Sequence, residues 1–464
     1  MIRPTKETRC FKNPNILPTA SSAQRALTTT MPLTDDTANS NLPDPAIFEQ
    51  QMQKYLHKYL IPHLDNEIRQ TRGADSSVYT GAAGIAYTFA QLSLHHPTVL
   101  TSVNLSAKKC FEISRKKLEE AEKEYVSSSD IACSLLCGRA GLICTKIMLS
   151  AGMECHDETS QPPDKIVPEY LSLLNGALEC DSDEWLYGRA GYLHGLLAIR
   201  PYSDTNTKAL VDGAIDKIVR RIIVSGTSYA RRCGSRSPLM YQWYGEEYLG
   251  AAHGVFGIVQ QLLLARPALV CVWPHNDLAD FDKLVRGTLD YLQDQQIDKP
   301  FGNYPPCRGE KDDHLVHFCH GAPGAVFTFL SAHSTYSDTN ADDRYLNMAC
   351  DLAECIWRYG LLRKGPGLCH GIAGNAYCFL ALQREDHSNS RKWIRRAAAM
   401  ASFMDTLPQD KDWLLRPDHP MSLFEGLSGT VLFLADLISA LRGMGGDSEG
   451  QPPFSPSFPL YELP

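Results

Sequence analysis

The chain has 464 residues, 44% hydrophobic and 21% charged, with 45 lysines and arginines against 53 aspartates and glutamates for a net charge of −8. These proportions are those of an ordinary soluble globular chain and exclude a wholly disordered protein or a collagen-like fibre. The mildly acidic balance offers no support for a phosphate-backbone binder, so no nucleic acid partner is expected.

The first 34 residues carry Arg3, Lys6, Arg9, Lys12 and Arg25 against Glu7 alone, among frequent Ser and Thr. Transit peptides and disordered tails share this weak signature. The second reading is taken here, with residues 1–45 expected to be a disordered N-terminal extension. Ile2 excludes N-myristoylation, which needs glycine there. The 15 cysteines are not preceded by a secretory apolar run. That pattern suits a reducing compartment with buried or metal-bound thiols better than a disulfide scaffold.

From residue 46 an organised region begins. Segments such as PAIFEQQMQKYLHKYLIPHL and FDKLVRGTLDYLQDQ place apolar residues at helical spacing and read as amphipathic helices. Between such segments a Gly-x-x-Gly pair recurs, each time opening an apolar run. The pairs are Gly81/Gly84, Gly138/Gly141, Gly188/Gly191, Gly254/Gly257, Gly321/Gly324, Gly371/Gly374 and Gly426/Gly429. Seven apolar runs could suggest a membrane bundle. These runs, however, carry Arg139, Arg189, His194, Gln260 and Gln261, and few reach the ~20 clean apolar residues of a span.

Each unit therefore pairs a nearly all-apolar helix with an amphipathic one. All-apolar helices are buried on every side and amphipathic ones cover them. The expected fold is all-α: a seven-fold α/α toroid, or double-layered α-barrel of seven helical hairpins, over residues 46–442. Glycines at the inner-helix starts permit tight turns and close backbone approach. The loops before them should converge on one rim. Residues 443–464 begin GMGGDSEGQPPFSPSF and read as an extended C-terminal tail whose aromatics, Phe458 and Tyr461, dock on the barrel.

The residues directly before the first glycines are Thr80, Cys137, Tyr187, His253, His320, His370 and Glu425. Two of the histidines belong to Cys-His-Gly triplets, Cys319-His320-Gly321 and Cys369-His370-Gly371. A duplicated triplet in register with the repeat points to a Cys₂His metal set. Such a set leaves zinc an open fourth position, while soft thiolates disfavour magnesium and calcium.

At these residues the chain resembles the eukaryotic LanC-like (lanthionine synthetase C-like) family. The resemblance is carried by LMYQWYGEEYLGAAHG, HLVHFCHGAPG, KGPGLCHGIAGNAY and SLFEGLSGTVLFLADL, with the terminal FPLYEL, and spans roughly residues 46–437. It implies the same seven-fold toroid, with zinc on Cys319, Cys369 and His370, an active-site histidine at His253, and His320 after the first zinc cysteine. It further implies glutathione as ligand or co-substrate, contacted by Lys364 and by a loop holding Arg416, Pro417 and Asp418. The arginine is displaced by one place from the family pattern. Leu315 stands where bacterial cyclases tend to carry an arginine, which argues against peptide cyclisation.

The implied activity is a zinc-dependent glutathione transferase that adds the thiol to dehydroamino acids (dehydroalanine, dehydrobutyrine) in peptides or proteins. Two thiolates and Zn²⁺ sum to zero charge, so a third thiolate can join at little Coulomb cost. A rim histidine can then protonate the enolate at the α-carbon. His253 is the first candidate and His320 the second, with Glu184 orienting a histidine or assisting proton transfer. His317 is expected behind the metal, and His194 and Cys137 in packing roles. A non-catalytic glutathione-binding signalling adaptor is the alternative, and both readings stand at this point. Paired carboxylates for a glycosidase barrel are lacking at the rim. The chain is expected to be cytoplasmic, with no transmembrane span and with peripheral contact at the plasma membrane allowed.

Overall fold

The computed structural model describes residues 9–14, 41–67, 75–126, 131–153, 161–299, 301–336, 343–407, 413, 417–445 and 455–463. Secondary structure among them is helical, with only isolated β-bridges. The seven apolar runs form helices Ala82–His95, Arg139–Met153, Arg189–Ile199, Val255–Val270, Ala322–Tyr336, Ile372–Glu385 and Leu427–Gly445. Each packs on the next, and the seventh packs on the first, so the inner layer is a closed ring.

The outer layer follows from the amphipathic segments. Ala107–Glu124, Pro163–Leu171, Thr205–Arg232, His275–Asp294, Arg344–Tyr359 and Ser390–Thr406 each cover the inner helix of their own unit. The seventh inner helix has no helix after it among the described residues. Pro45–Lys54 covers it instead, so the two ends of the helical region close the ring together. Local chemistry sets these starts. Asp44, Ser106 and Asp204 accept from Ala46, Lys109 and Thr207 N–H at 2.9, 3.1 and 2.7 Å, and Pro45 opens its helix.

Four inner helices begin without a side-chain cap, on Gly81, Gly188, Gly254 and Gly371 in extended backbone, while Ala322 N–H of the fifth donates to the Asn303 side-chain oxygen at 2.6 Å. The paired glycines serve space rather than unusual dihedrals. A Cβ on Gly257 would sit 2.0 Å from the Ala251 carbonyl oxygen. That contact lets each helix fold back on its own incoming loop.

The loops are tied to one another at the rim by a circuit of hydrogen bonds. Phe424 N–H donates to Tyr79 O (3.2 Å), Tyr79 N–H to Leu136 O (2.9 Å), Leu186 N–H to Ala252 O (3.2 Å), and Ala252 N–H to Cys319 O (3.2 Å). Cys319 N–H donates to Cys369 O (3.3 Å), and Cys369 N–H returns to Phe424 O (2.8 Å). The remaining step is made by the Ser134 hydroxyl, which donates to Leu186 O at 2.7 Å. Every backbone member lies two positions before the first glycine of its unit.

Both chain ends are tied to the barrel, the N-terminal one contrary to the sequence-based expectation. Arg9–Pro14, assigned to a disordered extension, lie against the sixth unit. Phe11 N–H donates to Leu361 O (2.7 Å), Arg363 N–H donates to Arg9 O (3.1 Å), and Cys10 bridges Leu362. The Asn13 amide also reaches Trp357 O at 2.6 Å. Apolar contact explains the segment: Cys10 is buried, and Phe11 meets Phe403 at 5.5 Å. At the other end, Phe458 and Tyr461 do more than dock on the barrel. Both are fully buried among inner-layer aromatics. Phe458 stacks on Phe318 at 4.1 Å, and the Trp185 indole N–H donates to Leu460 O at 3.0 Å. Glu462 is held there by Arg384 at 2.7 Å. Among the described residues one helix, Leu427–Gly445, is long and apolar enough to cross a membrane, but it is the seventh inner helix and 78% of its most apolar stretch is buried.

Truncating the plug should be costly. Phe458→Ala is expected to lower unfolding stability by about 3–5 kcal/mol, the usual cost of an emptied aromatic site. Urea unfolding measures it; a loss below about 1 kcal/mol would show that the plug is an accessory rather than part of the core.

Candidate metal centre and its cavity

The rim circuit fixes where the chemistry sits. Because Cys319 and Cys369 occupy the same register on adjacent units, their backbones are hydrogen-bonded directly and their side chains face the same space. With His370 they bring three ligand atoms within 4.8 Å of one another, the cysteines buried and the histidine half-buried. The two thiols share a hydrogen bond. Donation from Cys319, helped by His370 and the Tyr79 hydroxyl, holds Cys369 well below the ordinary thiol range. The same bond, with burial, pushes Cys319 up. Two sulfurs and one imidazole nitrogen, buried and close enough to converge, suit a borderline-soft divalent metal and leave it a further coordination position.

These ligands form one wall of a cavity of about 330 Å³. His253, His320, His317, Lys364, Tyr79 and Leu315 also line it. His253 precedes the fourth inner helix, and its ring is fixed on two sides. Its Nδ1 lies 2.8 Å from Glu184 Oε2, and Trp243 stacks on it at 3.9 Å and 2°. Nε2 is the ring nitrogen left for the cavity. Glu184 is buried, with 2% of its side chain exposed, and accepts from Leu186 N–H at 2.9 Å and from Tyr187 N–H. Its loop is anchored by the neighbouring Asp183, which pairs with buried Arg189 at 2.7 Å. Glu184 is thus a held carboxylate rather than a solvated loop acid.

The other histidines separate by environment. Burial pushes His320 down to about 4 and His317 well below its ordinary value, so both are neutral at pH 7. His320 Nδ1 is buried with no hydrogen-bond partner among the described residues, although its ring lines the cavity 6.0 Å from His253. His317 lies behind His370, ring to ring at 6.1 Å. His194 is bonded to Gln261 at 3.0 Å inside the inner layer, a satisfied core group. Cys137 is hydrogen-bonded to Tyr187 and is not part of the described cavity wall.

Of the proposed ligand-holding residues, Lys364 lines the cavity. Pro417 is buried, its Cγ 2.7 Å from where a Cβ on the neighbouring Gly365 would lie. Asp418 is exposed, as is His419 after it, and lies outside the described wall. Arg416 lies outside the described residues.

Three wall or wall-backing residues had no local signal. Arg9 reaches the cavity because the N-terminal segment is pinned along residues 361–363, next to Lys364. Its buried Nε has no hydrogen-bond partner among the described residues. In the sequence it is one of five cations in a polar run. Tyr79, in the same register as the cysteines, places its hydroxyl on Cys369 from the first unit. Trp243 backs His253 from a loop, not from a repeat position.

Comparison with known proteins adds the following. The sequence profile of the family described as lanthionine synthetase C-like protein matches residues 73–442. A zebrafish (Danio rerio) protein named Glutathione S-transferase LANCL1 is 34% identical over 392 residues, covering 82% of this chain and 87% of that protein. Among solved structures, nisin cyclase superposes with a TM-score of 0.53 at 14% identity, covering 84% of this chain and 98% of its own. At that identity the likeness concerns the fold alone.

The convergence of the three ligand atoms predicts a metal-binding outcome. After chelator treatment, Co²⁺ should titrate to one equivalent per chain with strong sulfur-to-metal absorption. Cys319→Ala and Cys369→Ala should each bind far more weakly, because a missing thiolate removes both charge and a ligand. A full, tight equivalent in both variants would exclude these thiols as ligands.

Proposed function

The chain belongs to the lanthionine synthetase C-like family, and we propose that it is a zinc-dependent transferase adding the thiol of glutathione to α,β-unsaturated residues such as dehydroalanine and dehydrobutyrine. The observation that carries this reading is a buried Cys₂His donor set and a carboxylate-oriented histidine facing one cavity. A relative that is named for glutathione transfer supports the thiol substrate.

Cys319, Cys369 and His370 would hold the zinc. When bound, zinc keeps an incoming thiol as thiolate at neutral pH. The remaining work falls to the chain. Glutathione carries two carboxylates, and Lys364 and Arg9 present two cations in the same cavity wall. Arg9's unpartnered Nε is a donor for such an anion.

In the transfer, the thiolate sulfur forms a bond to the β-carbon of the unsaturated residue. The π electrons move onto the carbonyl as an enolate, and the α-carbon then takes a proton. His253 is suited to deliver it: Glu184 fixes Nδ1, so Nε2 is the nitrogen that can exchange protons with substrate. His320 lines the same cavity and is the second candidate, with burial favouring its neutral ring and with Nδ1 able to accept or donate a hydrogen bond. Buried Glu184 acts by orienting His253 and is held by two backbone N–H groups while doing so.

Two outcomes are expected. His253→Asn should retain zinc and bound glutathione but lower glutathione addition to a dehydroalanine peptide by about 10²–10⁴-fold, the range for a lost general acid. Equal rates would remove His253 from the proton step. No rate above background in the wild type would favour a glutathione-binding adaptor. Separately, Lys364→Ala and Arg9→Ala should each weaken glutathione binding by roughly 1–3 kcal/mol. Calorimetry at low salt is the measurement, and unchanged affinity in both would place the carboxylates elsewhere.

A further inference from the structure

The loop that carries Trp243 has a feature the transfer reading does not use. Trp243 and Glu246 exchange both backbone hydrogen bonds, Trp243 N–H to Glu246 O at 3.0 Å and Glu246 N–H to Trp243 O at 3.1 Å. The two residues between them, Tyr244 and Gly245, have φ of +48° and +83°. This is the two-residue hairpin turn that requires positive φ at both central positions and ordinarily takes Asn-Gly. A bulky side chain in the left-handed region is strained. Here the strained residue is a tyrosine 88% exposed to solvent. Strain kept at a surface aromatic beside a reactive site is the pattern of a functional contact.

The turn leads straight to the candidate proton donor. Tyr244 meets Trp243 edge-on at 4.7 Å, and Trp243 lies flat on His253 at 3.9 Å. Tyr187 lies parallel to Trp243 at 5.8 Å and broadens the shelf. Size then argues for a large second substrate outside the cavity. About 330 Å³ is at the small end of ligand pockets, so a tripeptide thiol seated there leaves no room for a polypeptide. The electrophile must be presented at the mouth. Charge divides the mouth as well. Arg9 and Lys364 lie in the cavity wall, whereas exposed Glu246 and Glu310 lie around Tyr248, which itself meets His253 at 5.7 Å.

We propose that the Tyr244–Trp243 turn is a docking subsite for an extended peptide segment of the electrophilic protein. It takes an aromatic side chain two to three positions from the unsaturated residue and prefers basic over acidic flanks. The spacing follows from the two ring-to-ring steps above and the ~3.3 Å rise of extended chain. Stacking on tyrosine and tryptophan supplies attraction without base- or sequence-like precision, and the two glutamates supply the charge preference. This deepens the transferase reading and rests on it for the identity of the occupant.

Tyr244→Asn is the discriminating variant, since Asn-Gly suits this turn and the fold should be kept. The full-length protein is assayed for glutathione addition to two electrophiles. One is a short peptide with dehydroalanine, phenylalanine two positions away and lysine flanks; the other is N-acetyl-dehydroalanine methylamide. The ratio of kcat/KM for peptide over amide should fall about tenfold in the variant. An unchanged ratio would overturn the subsite. Exchanging the lysines for glutamates should lower kcat/KM with the wild type; an equal or higher value would overturn the charge preference. If the wild type modifies neither electrophile, the transferase reading fails, and the subsite is judged by calorimetry with the saturated peptide carrying alanine at that place. Binding about tenfold weaker in Tyr244→Asn would sustain it, and equal or absent binding would overturn it.

Discussion

The rim circuit is the constraint on which the rest depends. Seven loops from seven hairpins are joined in a closed chain of hydrogen bonds, all but one of them backbone to backbone and the backbone members all at one register position. Backbone hydrogen bonds are directional, and several rim carbonyls accept two of them: Phe424 O takes both Leu368 and Cys369 N–H, so the loop positions are held together along the circuit. Any residue placed at that register is therefore delivered to the axis with defined spacing. Cysteine at two consecutive units becomes a pair of convergent thiols without further design. Tyrosine at the first unit becomes a hydroxyl over one of them, and histidine one position later enters the cavity from the same arc.

Much of this was legible because it is local and periodic. The Gly-x-x-Gly recurrence announces the inner helices, and the duplicated Cys-His-Gly triplet stands in phase with it. Glu184 and His253 were visible as residues of the converging loops. The remainder is relational. Nothing in RCFKNP distinguishes Arg9 from its neighbouring cations; only its pairing along residues 361–363 carries it to the cavity. Phe458 and Tyr461 read as aromatics on a tail because their partners, Phe318, Trp185 and Gln261, come from three different units. The loop at Pro417 and Asp418, assigned to ligand contact through the family resemblance, buries the first residue and exposes the second, a difference that depends on the turn and not on the sequence pattern.

The cavity is also asymmetric. Its cations sit with the sixth unit and the pinned N-terminal segment, and its oriented histidine sits with the fourth unit beside aromatic rings and acids. On the proposed function, an anionic thiol and a neutral or basic electrophile would be drawn to different sides of the site. Such separation would lower competition between the two for the same contacts and make ionic strength act on them unequally.

The closure of the ring by both chain ends has a consequence for biosynthesis. Translation delivers the first inner helices early, but the partner of Pro45–Lys54 is Leu427–Gly445, and the aromatic plug at 455–463 comes later still. Cys319 and Cys369 leave the ribosome before the seventh helix that closes the barrel behind them. For tens of residues of synthesis, several seconds at ~5–20 residues per second, the nascent chain holds reactive thiols and apolar helices with their neighbours missing. Closure of the barrel around Cys319, Cys369 and His370 is thus a late event of synthesis, and the apolar inner helices stay partly unpaired until the seventh helix and the plug emerge.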